Sequence, residues 1–210
     1  MIKVLIVDDH PIMRKGLKQV LSEASDIVVA GEASNGQEAL SLALENDFQV
    51  VLLDISMPGR SGLEVLSQLK RLKSSLHILI LSTFPEEQYA VRALKSGASG
   101  YLTKESLPEE LIAAIRKVSG GGKYVSAALA EKLAFDLSDE AAKPLHETLS
   151  DREYQVMCMI ASGKTVKVIA EELALSVKTI STYRRRILDK MKMTNNAELT
   201  HYAIRQGLVN

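Results

Sequence analysis

Three carboxylates in this chain stand where chemistry would use them. Asp8 and Asp9 follow the run Lys3-Val4-Leu5-Ile6-Val7. Asp54 follows Val50-Val51-Leu52-Leu53, after which the chain turns through Ser56, Met57, Pro58 and Gly59. A strand that ends in a carboxylate places it at the carboxyl edge of a parallel sheet, where open α/β folds build their sites. Three carboxylates converging on one edge repel one another, and a divalent cation is the natural neutraliser. Mg2+ takes hard oxygen ligands and often binds through one or two carboxylates together with phosphate. Two further residues fall at strand ends: Ser82 closes the run Leu76 to Leu81, and Lys104 lies just past Tyr101-Leu102-Thr103. With a metal in place, Asp54 is available as a nucleophile toward phosphorus. Lys104 is suited to neutralise charge growing on the phosphoryl oxygens, and Ser82 to donate a hydrogen bond to one of them. Taken singly, each residue reads more simply as a helix cap, an ordinary polar residue or a surface charge; the joint pattern is what carries the chemistry.

A second set lies near the other end. In the segment 176–186, Lys178, Ser181, Thr182 and Arg185 recur at helical spacing and share one face, opposite Ile180, Ile187, Leu188 and Met191. Donors, small hydroxyls and a guanidinium on one face suit base edges and phosphates. A solvated basic face would account for Arg184-Arg185-Arg186 alone. The amphipathic stretch 166–174 before it, and the tight turn at Leu175-Ser176, favour a helix-turn-helix.

The elements that must position these residues follow from periodicity. Short apolar runs at 2–8, 27–32, 49–54, 76–82 and 99–103 alternate with amphipathic stretches at 11–24, 36–46, 61–72, 86–96 and 107–119. Such alternation predicts a doubly wound five-stranded parallel sheet with helices on both faces. Pro11 and Pro108 suit first helical turns. Gly120-Gly121-Gly122 ends the pattern. Residues 121–148 read as a linker, with a connector helix near 126–137 and a polar joint at 138–148. From Leu149 four helices are expected, at 150–162, 166–174, 177–191 and 196–206. Ser150 and Glu153 form a capping box, Leu149 and Tyr154 stand at staple positions, and Gly163 and Gly207 at helix ends.

Residues 149–210 hold ten Lys/Arg and six Asp/Glu, residues 1–120 thirteen and fifteen, and the net charge of the whole is +0. An acidic front and a basic back suit two modules with different partners. The single cysteine, Cys158, excludes a disulfide framework and a cysteine-built metal site, and reads as a buried apolar residue. The start of the chain reads as a strand rather than a signal peptide, and no apolar stretch is long enough to span a bilayer. The expectation is a cytoplasmic protein with no membrane partner.

Residues 1–119 resemble the receiver domain of bacterial two-component response regulators. The resemblance rests on Val7-Asp8-Asp9-His10-Pro11, Leu53-Asp54-Ile55-Ser56-Met57-Pro58-Gly59, Leu81-Ser82-Thr83 and Gly100-Tyr101-Leu102-Thr103-Lys104. It implies a flavodoxin-like fold in which a sensor histidine kinase phosphorylates Asp54. It further implies that Asp9 binds Mg2+ directly, Asp8 acts through water, the Ser56 carbonyl completes the ligands, and Tyr101 is the aromatic that follows the Ser82 hydroxyl inward. Residues 149–210 resemble the LuxR-type helix-turn-helix domain through Leu149-Ser150-Asp151-Arg152-Glu153, Ile169-Ala170-Glu171-Glu172-Leu173, Ser176-Val177-Lys178-Thr179-Ile180 and Ala197-Glu198-Leu199. By position, Ser181, Thr182 and Arg185 match base-contacting sites of that family, and Lys178, Thr179 and Tyr183 match backbone-contacting sites. Many relatives carry Lys at the position of Ser181. Together the two resemblances point to the NarL/FixJ subfamily.

The expected function is a phosphorylation-controlled transcription regulator, homodimeric when phosphorylated, with half-sites about one helical turn apart on a double-stranded DNA operator. One rival is a haloacid-dehalogenase-type hydrolase, which wants a second carboxylate two residues past its nucleophile, where this chain has Ser56. The other is a DNA-binding protein indifferent to phosphorylation, with a receiver kept only for structure.

Overall fold

The computed structural model describes residues 1–138 and 144–209. It divides into two compact units, Met1–Ala134 and Phe135–Asn210. The first alternates β1 (Ile2–Val7), α1 (Pro11–Ser22), β2 (Ile27–Ala33), α2 (Gly36–Glu45), β3 (Val50–Leu53), α3 (Gly62–Leu72), β4 (His77–Ser82), α4 (Glu86–Lys95), β5 (Gly100–Thr103) and α5 (Pro108–Ser119), followed by α6 (Ala127–Ser138). All five strands are parallel, in the order β2-β1-β3-β4-β5.

The continuous apolar runs are explained by burial on both faces. On one face Val4, Ile6, Val50, Leu52, Leu79 and Leu81 form a core with Leu17 and Leu21 of α1 and Leu111, Ile115 and Val118 of α5. The alternate residues, among them Leu5, Val7, Val51 and Leu53, are equally buried and face the other way, toward α2, α3 and α4. The chain leaves β1 for β2 on one side and places β3 on the other. The carboxyl ends of β1 and β3 therefore flank the point where the winding reverses, which is where such sheets open a crevice.

The second unit holds a 3-10 turn (Leu145–Thr148), α7 (Asp151–Ala161), α8 (Val166–Glu172), α9 (Val177–Met191) and α10 (Asn196–Arg205). Ser150 and Glu153 form both hydrogen bonds of the capping box. Every residue of α7 from Arg152 to Ala161 is buried, because α8, α9 and α10 all pack on it. Two polar links brace the bundle: buried Arg152 donates to Gln155 Oε1 (2.6 Å) in its own helix and to the Leu173 carbonyl, and the half-exposed Lys190 Nζ lies 2.6 Å from Glu153 Oε2.

The stretch read as linker contributes residues to both units. Tyr124 and Leu129 join the core of the first. In the second the 3-10 turn packs on α9 and His146 Nδ1 meets the Tyr202 hydroxyl at 2.9 Å. The connector helix forms at Ala127–Ser138. Part of the expected polar joint, 139–143, lies outside the described residues.

All four helices of the second unit end in the same paired hydrogen bonds, in which one residue adopts a left-handed conformation. Gly163 (φ 83°) and Gly207 (φ 63°) do so without strain, whereas Ala174 (φ 51°) and Lys192 (φ 56°) carry a Cβ there. After α8, Ala174 N–H reaches the Glu171 carbonyl and Leu175 N–H the Ala170 carbonyl at 2.8 Å. Ala174→Gly is therefore expected to stabilise the chain by about 0.5–1 kcal/mol, read as a rise in the urea midpoint of the helical unit; a fall would contradict the assigned backbone conformation.

Candidate phosphoacceptor site and nucleic-acid interface

Backbone pairing brings the acidic residues together. Asp54 N–H continues the β1–β3 ladder by donating to the Val7 carbonyl (3.0 Å), and Asp8 N–H continues β1–β2 onto Ala33 (3.2 Å). Lys104 N–H donates to the Ser82 carbonyl at 2.7 Å, which sets the β5–α5 loop beside the end of β4. Ligand atoms of Asp8, Asp9, His10 and Asp54 then lie within 4.8 Å of one another. Asp8 and Asp54 are each 2% exposed.

Lys104 sits between the carboxylates. Its Nζ is 2.6 Å from Asp8 Oδ2 and 2.8 Å from Asp54 Oδ2, with its side chain 7% exposed. The other Asp54 oxygen accepts the Ser56 N–H at 3.0 Å, so both oxygens are held and the carboxylate has one orientation. Burial pushes the Asp54 carboxyl above its usual range, with Lys104 opposing. Burial pulls the Lys104 ammonium down, but Asp54 and then Asp8 outweigh it and leave it raised. The crowding inferred from sequence is thus partly relieved by the chain's own lysine. Asp9 is different: its buried Oδ1 accepts no hydrogen bond, although the His10 Nδ1 is 3.1 Å away. Gly62 is forced by the site, since a Cβ on it would stand 2.1 Å from the Asp54 carbonyl oxygen.

Ser82 is fully buried, and its Oγ accepts the Phe84 N–H at 3.2 Å. Tyr101 is already inward, 2% exposed, with its hydroxyl donating to the Phe84 carbonyl at 2.9 Å. Burial holds that hydroxyl well above its ordinary pKa. Ser82 and Tyr101 therefore grip the same residue, Phe84, a link that strand-end reasoning did not reach.

On α9 the expected division holds: Ile180, Ile187, Leu188 and Met191 are buried, and Lys178, Ser181, Thr182 and Arg185 are exposed. One shallow hollow is lined by Ser176, Lys178, Thr179, Thr182, Tyr183 and Arg186, and a second includes Ser181 and Arg185. Three details refine the sequence reading. Ser181 and Thr182 donate their hydroxyls back to the Val177 and Lys178 carbonyls, both at 2.9 Å, which leaves their oxygens to act as acceptors. Arg184 is diverted to Asn196 Oδ1 (2.6 Å) and ties α9 to α10. Arg186 lines both hollows, and its spacing of four from Thr182 and eight from Lys178 was the signal that could have found it. Among the described residues no helix is long and apolar enough to cross a membrane.

Comparison with known proteins agrees with this layout. Residues 4–116 match the response regulator receiver domain, and residues 147–203 match the bacterial regulatory proteins of the luxR family. Response regulator UvrY of Escherichia coli (strain K12) is 39% identical over 211 residues, covering 100% of this chain and 97% of that protein. Response regulator GacA of Pseudomonas aeruginosa is 38% identical, covering 100% and 99%. Among solved structures, the Salmonella typhimurium RcsB response regulator, described for its conformational dynamism in DNA interaction, superposes with a TM-score of 0.68 at 26% identity over 98% of each chain. An RcsB–DNA complex gives 0.60 at 27% identity, covering 97% of this chain and 98% of that one. The chain belongs to the NarL/FixJ subfamily of response regulators, with a receiver domain followed by a luxR-family helix-turn-helix domain.

Proposed function

We propose that residues 1–120 receive a phosphoryl group on Asp54 and that residues 149–210 read a DNA operator, with 121–148 between them. The observation that carries the first half is the Asp54 carboxylate, buried, with one oxygen fixed by the Ser56 N–H and the other by Lys104. A carboxylate oxygen attacks the phosphorus of a phosphohistidine on a sensor kinase; the P–N bond breaks, the imidazole leaves, and Asp54 becomes an acyl phosphate. Lys104 is placed to shift from the carboxylates to the arriving phosphoryl oxygens. Ser82 turns its hydroxyl toward them, and Tyr101 moves with Phe84.

A divalent cation fits the donors. Three carboxylates against one ammonium leave a formal charge of −2, and Asp9 offers a buried oxygen that accepts no hydrogen bond. Mg2+ would be held by Asp9, Asp54 and the Ser56 carbonyl, with Asp8 acting through water, and would supply charge neutralisation for the phosphoryl oxygens. The chain is read as a cytoplasmic regulator rather than an enzyme, in keeping with its relatives.

For DNA, Ser181, Thr182 and Arg185 reach bases while Lys178, Thr179 and Tyr183 hold the backbone. Solved RcsB structures include dimers bound to DNA, which supports a homodimer of this chain on a two-fold symmetric operator. Site selection from random DNA with Mg2+ and acetyl phosphate tests the reading. The wild-type chain recovers a symmetric sequence, and Arg185→Ala binds it more weakly by about 1–3 kcal/mol. Recovery of no preferred sequence would overturn sequence-specific recognition, and equal binding by Arg185→Ala would place that residue off the interface.

A further inference from the structure

β5 closes one side of the sheet, yet its outer edge is covered. Beyond α5 the chain turns at Gly121 (φ 86°) and runs back along that edge. Tyr124 forms a parallel bridge with Gly100, donating its N–H to the Ser99 carbonyl (2.9 Å) and accepting the Tyr101 N–H (3.3 Å). Lys123 Nζ donates to the Ala98 carbonyl at 2.6 Å. Gly100 permits the approach: a Cβ there would stand 2.5 Å from the Tyr124 carbonyl oxygen.

Two residues on, Ser126 does two things at once. Its hydroxyl donates to the Glu86 carboxylate (2.5 Å), at the first residue of α4, and accepts the Leu129 N–H (3.0 Å), capping α6. Leu129 is buried beneath this turn. Tyr101 is therefore held from two directions, by its hydroxyl on Phe84 and by its N–H on Tyr124. A run of contacts leads from Ser82 to Phe84, along the chain to Glu86, and through Ser126 into the first turn of α6. All of these links lie within the first unit.

We propose that residues 123–129 are a releasable strap, which caps the connector helix while the receiver is unphosphorylated and lets it fray when Asp54 carries a phosphoryl group. The proposal rests on the reading of Asp54 as phosphoacceptor. Rotation of the Ser82 side chain toward a phosphoryl oxygen moves the Oγ that now accepts the Phe84 N–H, and draws Phe84 with it. Movement of Phe84 carries Glu86, two residues along, off Ser126. The Glu86 carboxylate is the latch: it takes the Ser126 hydroxyl on one oxygen and the Ser126 N–H (3.5 Å) on the other, and so joins α4 to the cap of α6. Phosphorylation favours the open strap only in so far as the capped arrangement opposes the phosphoryl contacts, which is the differential affinity any switch needs.

Hydrogen exchange of the full-length chain, read by mass spectrometry with Mg2+ and acetyl phosphate, tests it. In the phosphorylated wild type, peptides spanning 122–130 exchange about fivefold faster, the effect of losing one helix cap. Ser126→Ala exchanges at the faster rate without phosphodonor and gains nothing further from it, which a merely structural role would not produce. Unchanged exchange in a chain whose mass shows the added phosphoryl group overturns the strap and leaves the Asp54 reading standing. A chain that gains no phosphoryl mass overturns both. A Ser126→Ala chain that still speeds up on phosphorylation removes the latch.

Discussion

Asp54→Asn takes up no phosphoryl group from acetyl phosphate and Mg2+, while the wild-type chain gains the mass of one. The asparagine keeps the shape of the side chain and an oxygen for the Ser56 N–H or for Lys104. It loses the anionic oxygen that attacks phosphorus. Because Asp54 is buried and its carboxyl is raised by desolvation, removing its charge does not cost the fold. Loss of phosphorylation in a chain that unfolds no more easily than wild type therefore isolates the chemical step. Phosphoryl gain by Asp54→Asn at the wild-type level would place the acceptor elsewhere.

Lys104→Met is expected to destabilise the chain by about 3–5 kcal/mol near neutral pH, because it leaves two buried carboxylates, Asp8 and Asp54, without their shared counter-ion. The sign with pH follows from Asp54, whose carboxyl is already raised by burial and is held down chiefly by Lys104. Without the lysine it rises further above its unfolded value. The penalty is then present above the carboxylate range and disappears as pH falls through it and the group protonates. Added Mg2+ should recover part of the loss, since a divalent cation serves the same carboxylates. Urea unfolding with and without Mg2+, at neutral and acid pH, checks both statements. A loss of less than about 1 kcal/mol that ignores pH would mean that the carboxylates do not depend on Lys104.

Much of the site could be read before any coordinates. Strand ends show in the sequence as apolar runs cut off by polar residues, and alternating topology brings those ends to one edge; Asp8, Asp9, Asp54, Ser82 and Lys104 were expected at that edge on this logic. The facing of α9 was equally plain, because burial at 3.6-residue spacing leaves a clear record at Ile180, Ile187 and Met191. What could not be read depends on contacts between residues far apart in the chain. Nothing local marks Lys104 as bridging two carboxylates, or Arg184 as belonging to Asn196 while its neighbours face outward. The inward bonds of the Ser181 and Thr182 hydroxyls depend on side-chain rotamer, which pattern does not specify. How the linker attaches was hidden for another reason: Tyr124 supplies backbone hydrogen bonds to an open strand edge, and an unpaired edge readily takes such a partner. Ala174 in a left-handed conformation was invisible because alanine usually signals helix interior.

In the proposed switch, charge placed on Asp54 governs DNA binding by the second unit. Its most direct test is genome-wide footprinting of the full-length chain with Mg2+, with and without acetyl phosphate, beside Asp54→Asn. Two-fold symmetric footprints are expected to strengthen with the phosphodonor for wild type and to stay at the untreated level for Asp54→Asn. Equal occupancy under all three conditions would contradict it and leave a DNA-binding protein whose receiver does not switch.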